Sequence, residues 1–427
     1  MPSLSENVEK RMRRWQEQRW ILDAIIQTVG IEWDQNRIGY TLGPCGPQAS
    51  ADFMGVRHRV QKFNDISREF ARAAARREAI AQRFAEEGRS VAARESFFIA
   101  ALLYGSAQWP IFENSAENVR LNEKKTACYM AYARLADHAV RRVEIPFGDR
   151  AMPGYLHLPP RSQGAQKPLP CVLTIGGMDS FKEMAVALYG DKLLERGIAV
   201  LAMDGPGQGE CTVRDIHVTA TNFMDAGRAM IDWLRAQPEI AADRLAIRAA
   251  SFGSFWGTQV ASVDDRLLGC AVAYVCHEPG ANTLFNMSSP TFKLRYMYMA
   301  GYEDEEAFDA FTQTLTLRGV GATITCPFLV VAGEDDELSP IEYTYELLEE
   351  IKAPKELLLY QGERHGLNTT TSSSLGPDAQ TYIADWLVDR LQGKPAPSQH
   401  LFVDMQGQVH ARAWYKDGAS SSNPDER

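Results

Sequence analysis

The stretch Leu245–Gly253 reads Leu-Ala-Ile-Arg-Ala-Ala-Ser-Phe-Gly, an apolar run that ends on a serine between small residues. Such a run specifies a buried strand that turns sharply into a helix. A serine at that turn sits in a strained conformation, and its neighbours two positions away must be small. Here those neighbours are Ala249 and Gly253. Glycine usually stands at both places, so Ala249 departs from the pattern by one methyl group. The structural alternative is a serine capping a helix N-terminus, where serine is favoured.

The order of the downstream segments favours the turn. Cys326–Val331 is a short buried-strand run that opens into Ala332–Pro340, which holds Asp335, Asp336 and Glu337. Glu356–Tyr360 reads as a further strand, and His365 lies in the glycine-flanked loop after it. Serine, acid and histidine, each at the C-terminal end of its own strand, is the α/β-hydrolase order. A serine hydroxyl is a poor nucleophile near neutrality, so an imidazole must take its proton and a carboxylate must hold that imidazole in one tautomer. Ser251 is then the nucleophile, His365 the base and Asp336 its orienter. Asp335 is the alternative acid, and Asp336 is preferred for its Gly-x-x-Asp spacing from Gly333. The bland reading makes these acids a solvated turn and His365 an ordinary loop histidine.

Acyl chemistry also needs backbone N–H groups aimed at the developing oxyanion. One is expected from Phe252, the residue after the nucleophile. The other is expected after Pro170–Ile175, an apolar run followed by Gly176-Gly177-Met178-Asp179-Ser180 and a helix start. Met178 is the first choice as donor and Gly177 the second. This turn lacks the length and the lysine of a phosphate loop, which argues against nucleotide binding. Another buried strand, Gly197–Met203, ends in the tight loop Asp204-Gly-Pro-Gly-Gln-Gly-Glu210.

Three stretches carry a family resemblance: Thr174–Glu183, the Asp204–Glu210 loop, and Val143–Phe147 with Leu156–Pro159 upstream. They resemble the 2,6-dihydroxypseudooxynicotine hydrolase and FrsA-like group of α/β-hydrolases, and are similar also to fungal heptaketide hydrolases of pigment pathways. The resemblance covers most of residues 85–392. It implies a helical N-terminal domain, a triad falling on Ser251, Asp336 and His365, and cleavage of a carbon–carbon bond next to a ketone. It also implies an auxiliary glutamate after strand six, a place that Glu278 can fill if Val272–Val275 is that strand. His277 beside it is read as structural or pocket-lining. Part of the group is regarded as partner-binding, which leaves a non-catalytic role as an alternative.

The N-terminal third has a different texture. From Glu6 to Gln27, Arg57 to Glu87, Val91 to Ser106 and Ser115 to Ala136, apolar residues recur at three and four with charges between, as in amphipathic helices. Breaks such as Gly43-Pro44-Cys45-Gly46-Pro47 and Trp109-Pro110 join them. The arginines near Arg72, Arg76 and Arg77 are read as solvated or paired with neighbouring acids. This gives a helical domain over residues 1–138, covering the active site or forming a dimer interface. A hydrolase domain is expected over 139–392, with a helical lid inserted after strand six at about 277–325. The lid is rich in aromatics and methionines, among them Phe285, Phe292 and Tyr296, which with Trp256 are candidates for lining a bulky acyl pocket. Residues 393–427 read as a linker, a hairpin of His400–Val403 with Val409–Trp414, and a disordered tail from Ala419.

Composition narrows the partners. A net charge of −10 leaves no basic footprint for nucleic acid or anionic membranes. No apolar stretch reaches the roughly 18 residues of a membrane helix, and the start of the chain lacks a signal-peptide core, so a cytoplasmic protein is expected. Seven cysteines without close pairing fit free thiols. The expected enzyme is a serine hydrolase that uses no metal or organic cofactor and acts on a moderately large ketone, with a carboxylesterase or lactonase on a bulky acyl substrate as the alternative.

Overall fold

Each segment read as a strand pairs into one ten-stranded sheet of order β1-β2-β4-β3-β5-β6-β7-β8-β9-β10. A computed structural model describes residues 13–33, 37–160, 167–281 and 284–414. The strands are β1 Ala139–Phe147, β2 Arg150–Leu158, β3 Leu169–Ile175, β4 Ala199–Met203 and β5 Ile240–Ala250, then β6 Leu267–Ala273, β7 Phe328–Gly333, β8 Lys355–Tyr360, β9 Gln399–Val403 and β10 Val409–Ala413. Pairing is parallel from β4 to β9 across the sheet and antiparallel at both edges. Every residue of β4 and β7 is buried, as expected of strands covered on both faces. The chain is an α/β-hydrolase fold.

Six helices precede the sheet among the described residues: α1 Arg13–Val29, α2 Arg37–Cys45, α3 Ser50–Arg59, α4 Asp65–Glu86, α5 Ser90–Gln108 and α6 Ala116–Leu135. From Phe98 to Gln108 every residue of α5 is buried, so this helix is the centre of the helical layer. The layer and one face of the sheet share a single continuous core. A second core lies on the opposite face under the helix Ala379–Leu391.

Several boundaries differ from the sequence reading. The segment Arg57–Glu87 is two helices. The carboxylate of Asp65 accepts the N–H groups of Gln61 and Lys62, and Asp23 accepts that of Phe63, so the chain bends with Val60 and Phe63 buried in the core. Gly43, Pro44 and Cys45, read as part of a break, belong to α2, and the turn comes at Gly46 with φ +80°. No helix starts directly after Gly177; the chain runs through the short 3-10 turn Lys182–Met184. The expected start of the first helix at Glu6 and the tail from Ala419 lie outside the described residues.

The hairpin β9–β10 extends the sheet, because β9 pairs in parallel with β8 and so meets the docking that an isolated hairpin requires. Arg72 pairs with Glu69 and Arg77 with Asp52. All seven cysteines are buried and free. No helix among the described residues is long and apolar enough to cross a membrane.

Candidate active site

Parallel strands deliver their following loops to one edge of the sheet, and the sequence-selected residues lie there. Ser251 follows β5 directly and has φ 55°, ψ −132°, a conformation that costs a non-glycine residue roughly 1–3 kcal/mol. The surroundings enforce it. Its N–H donates to Ala273 O at 3.0 Å, and its own carbonyl accepts from Ser254 N at 2.8 Å. A side chain at Gly253 would come within 2.4 Å of Ile175 O and 2.5 Å of Gly176 O, so only glycine lets the helix Phe252–Val263 start against the end of β3. Ala249 is accommodated by a second glycine: a Cβ on Gly257 would meet the Ala249 Cβ at 2.6 Å, so the methyl group occupies the space Gly257 leaves.

Ser251 Oγ lies 3.0 Å from His365 Nε2, and His365 Nδ1 lies 2.9 Å from Asp336 Oδ2. A carboxylate only accepts, which puts the proton on Nδ1 and leaves Nε2 to accept from the serine. The other Asp336 oxygen accepts the N–H groups of Leu338 and Ser339 at 2.9 and 3.2 Å, fixing the carboxylate. Asp336 is buried, whereas Asp335 is exposed.

The loop after β3 closes over the serine. Gly177 approaches so closely that a Cβ on it would lie 2.8 Å from Ser251 Cβ. Its N–H is already given to Ser180 Oγ at 3.1 Å, which corrects the second choice of oxyanion donor and leaves the amides of Met178 and Phe252. Gln208 was missed by sequence reasoning. Its side-chain amide donates to the carbonyls of Gly176 and Gly177 at 2.7 and 3.1 Å, pinning this loop from the Asp204–Glu210 loop. Beneath them, Lys182 Nζ meets Asp204 at 2.9 Å, Glu210 at 2.8 Å and Glu183 at 3.1 Å. Burial disfavours the Lys182 charge, but these carboxylates outweigh it and hold the ammonium well above its ordinary value.

Ser251 and His365 open onto a cavity of about 430 Å³. Its lining includes Met178, Phe252 and Phe292, and from the helical layer Tyr40, Trp109 and Lys125. The helical layer therefore covers the site. Trp256, Phe285 and Tyr296 do not line the cavity, contrary to expectation. They form a buried aromatic layer behind Phe252, with Trp256 stacked on Phe223 at 4.5 Å and Phe285 5.0 Å from Tyr296. They support the helices Leu284–Met287 and Pro290–Ala300 of the insertion after β6.

Glu278 is likewise not at the cavity. Its carboxylate accepts from Thr316 Oγ1 at 2.8 Å and from the Leu317 N–H, so it ties down the returning end of the insertion. The strand before it ends at Ala273, not Val275. His277 faces Thr344 Oγ1 at 3.0 Å, and burial pulls its imidazole down to about 3.

The Esterase FrsA-like family model matches residues 67–305, more than half of the chain. The chain is 26% identical over 350 residues to 2,6-dihydropseudooxynicotine hydrolase of Paenarthrobacter nicotinovorans, covering 80% of this chain and 88% of that one. It is 29% identical over 246 residues to alpha/beta hydrolase xenA of Xenoacremonium sinensis, covering 56% of this chain and 57% of that one, so it spans little more than half of that relative's length. Among solved structures it is similar to 2,6-dihydroxy-pseudo-oxynicotine hydrolase, with a TM-score of 0.70 at 24% identity over 83% of this chain and 96% of that one. At that identity the likeness shows a shared fold.

Proposed function

The chain belongs to the FrsA-like family of α/β-hydrolases, and from that membership we propose a serine hydrolase with the triad Ser251, His365 and Asp336 that cleaves a carbon–carbon bond beside a ketone. The observation that carries this reading is the hydrogen-bond line from Ser251 Oγ through His365 to Asp336, 3.0 and 2.9 Å, at the floor of a covered cavity.

Ser251 Oγ attacks the carbonyl as His365 Nε2 takes its proton, and the Phe252 and Met178 amides receive the oxyanion. Collapse of the tetrahedral intermediate breaks the bond to the α-carbon. A second carbonyl on that α-carbon, as in a 1,3-diketone, takes up the electron pair as an enolate, and the imidazolium protonates it at carbon to release the ketone. Water, deprotonated by His365, then hydrolyses the acyl-enzyme to a carboxylic acid. With an ester the same steps expel an alkoxide. The family's description as esterases favours that second reading, a carboxylesterase on a bulky acyl group. The likeness to 2,6-dihydropseudooxynicotine hydrolase over most of both chains supports the first.

The test is mass spectrometry of the protein and of Ser251→Ala after exposure to a fluorophosphonate, followed by turnover of aryl esters and 1,3-diketones. An adduct on wild type alone, with diketones turned over faster than esters, is the expected result. Faster ester turnover selects the carboxylesterase. Folded wild-type protein that takes no adduct would overturn the triad and leave a partner-binding role.

A further inference from the structure

The cavity above Ser251 is not electrically neutral. Its charged lining apart from His365 is Arg37, Lys125 and Arg295 against the single carboxylate of Asp179. Arg37 is matched by Asp179 at 3.0 Å. Arg295 is different. It lies on the helix Pro290–Ala300, is 8% exposed, and its buried Nε has no hydrogen-bond acceptor among the described residues; the carboxylate that acts most on its charge is Asp179, already paired with Arg37. The guanidinium also lies 5.6 Å from the ring centre of Tyr298. Lys125, on α6, is 1% exposed, and its nearest carboxylate, on Glu183, is 3.9 Å away, beyond hydrogen-bond distance. That same Glu183 also serves Lys182.

A buried guanidinium that must share one carboxylate with a second arginine is incompletely compensated, and burial disfavours the charge of both Arg295 and Lys125 here. Both face the space a substrate enters.

We propose that Arg295, with Lys125, forms an anion subsite in the roof of the cavity, so that the substrate carries an anionic oxygen, a carboxylate or a phenolate or enolate, remote from the carbonyl that Ser251 attacks. This rests on the hydrolase reading of the same site. Arg295 supplies a planar fork of N–H donors suited to two oxygens, and Lys125 supplies a point charge. A neutral substrate leaves Arg37 and Arg295 to share the one carboxylate of Asp179; an anionic one gives Arg295 a counter-charge of its own. The subsite sets specificity and takes no part in the bond-breaking step.

The test compares an aryl ester bearing a free carboxylate on its acyl chain with the methyl ester of that carboxylate, on wild type, Arg295→Gln and Arg295→Lys. Charge-assisted hydrogen bonds of this kind favour the anionic substrate by roughly ten- to a hundredfold in kcat/KM. The expected result is that preference in wild type, its collapse towards unity in Arg295→Gln chiefly through KM, and its partial return in Arg295→Lys. In thermal melts, benzoate raises the Tm of wild type and not of Arg295→Met, and Arg295→Met melts above wild type without ligand. A phenol-bearing substrate distinguishes the source of the anion: its preference emerges only as pH rises through the phenol's own pKa, whereas the carboxylate has it throughout the neutral range. An unchanged preference ratio in Arg295→Gln, with Ser251 still labelled by the fluorophosphonate, would overturn the subsite alone. Absence of labelling would overturn the hydrolase reading instead.

Discussion

Arg37 Nη1 lies 3.0 Å from Asp179 Oδ2, so the helical layer is tied to the residue next to Met178 in the loop over Ser251. Arg37 also stacks on Trp109 at 3.6 Å. The pair couples the cover of the site to the expected oxyanion donor. Arg37→Ala leaves a mostly buried carboxylate without its partner, which costs about 1–3 kcal/mol. Fluorophosphonate labelling of Ser251 should slow by about tenfold or more, and Asp179→Asn should slow it less. Equal labelling rates in all three proteins would mean that the pair does not position the loop.

Gln208 holds the carbonyls of Gly176 and Gly177 and with them the direction of the Met178 amide. Gln208→Ala should therefore lower kcat with little change in KM, by roughly ten- to a hundredfold, because an oxyanion donor acts in the transition state. A change confined to KM would place Gln208 in ground-state binding instead.

The Ala249 methyl group and Gly257 share one space. Gly257→Ala would gain helix propensity in isolation, yet it should destabilise by about 1–3 kcal/mol through overpacking. Ala249→Gly in the same chain should recover most of that loss. A double-mutant cycle in urea measures the coupling, and strictly additive effects would contradict a shared space.

Glu278→Gln separates a structural carboxylate from an auxiliary catalytic one. Its partners are Thr316 and the Leu317 amide, so the variant should lower Tm by a few degrees while the pH profile of kcat keeps its shape. Loss of one limb of that profile would return Glu278 to the chemistry.

Burial holds the His277 imidazole near 3, against about 6.5 in an unfolded chain. Between those values the unfolded chain binds a proton that the native protein refuses. Stability from this group is therefore complete above about 6.5 and is lost as pH falls towards 3, at no more than about 1.4 kcal/mol per pH unit. His157, fully buried beside His138, is also lowered and acts in the same direction. Urea unfolding of wild type and His277→Gln between about pH 4 and pH 7 should give the shallower dependence in the variant. Identical slopes would show that His277 is not the group responsible.

The order Ser251, Asp336, His365 and the strand before each were legible because one local pattern, an apolar run ending in small residues, specifies both the strand and the turn that presents the side chain. The pairing of β9 with β8 and the break before Asp65 were less so, since each depends on a partner distant in sequence: Val403 carbonyl for Gln361, Asp23 for Phe63. Glu278 was misjudged for the same reason, as its neighbourhood in the chain does not disclose Thr316.

By itself the sequence determined the α/β-hydrolase sheet, the strained serine turn and the chain order of the candidate triad, all of which follow from local periodicity and small residues at fixed spacing. Only the tertiary structure decided that Gln208 pins the oxyanion loop, that Trp256 and Tyr296 stand behind the cavity, and that Lys125 and Arg295 face into it. A charged residue on a helix reads as solvent-facing until another element packs over it, and Lys125 and Arg295 stand on helices far apart in the chain that only packing brings to one cavity.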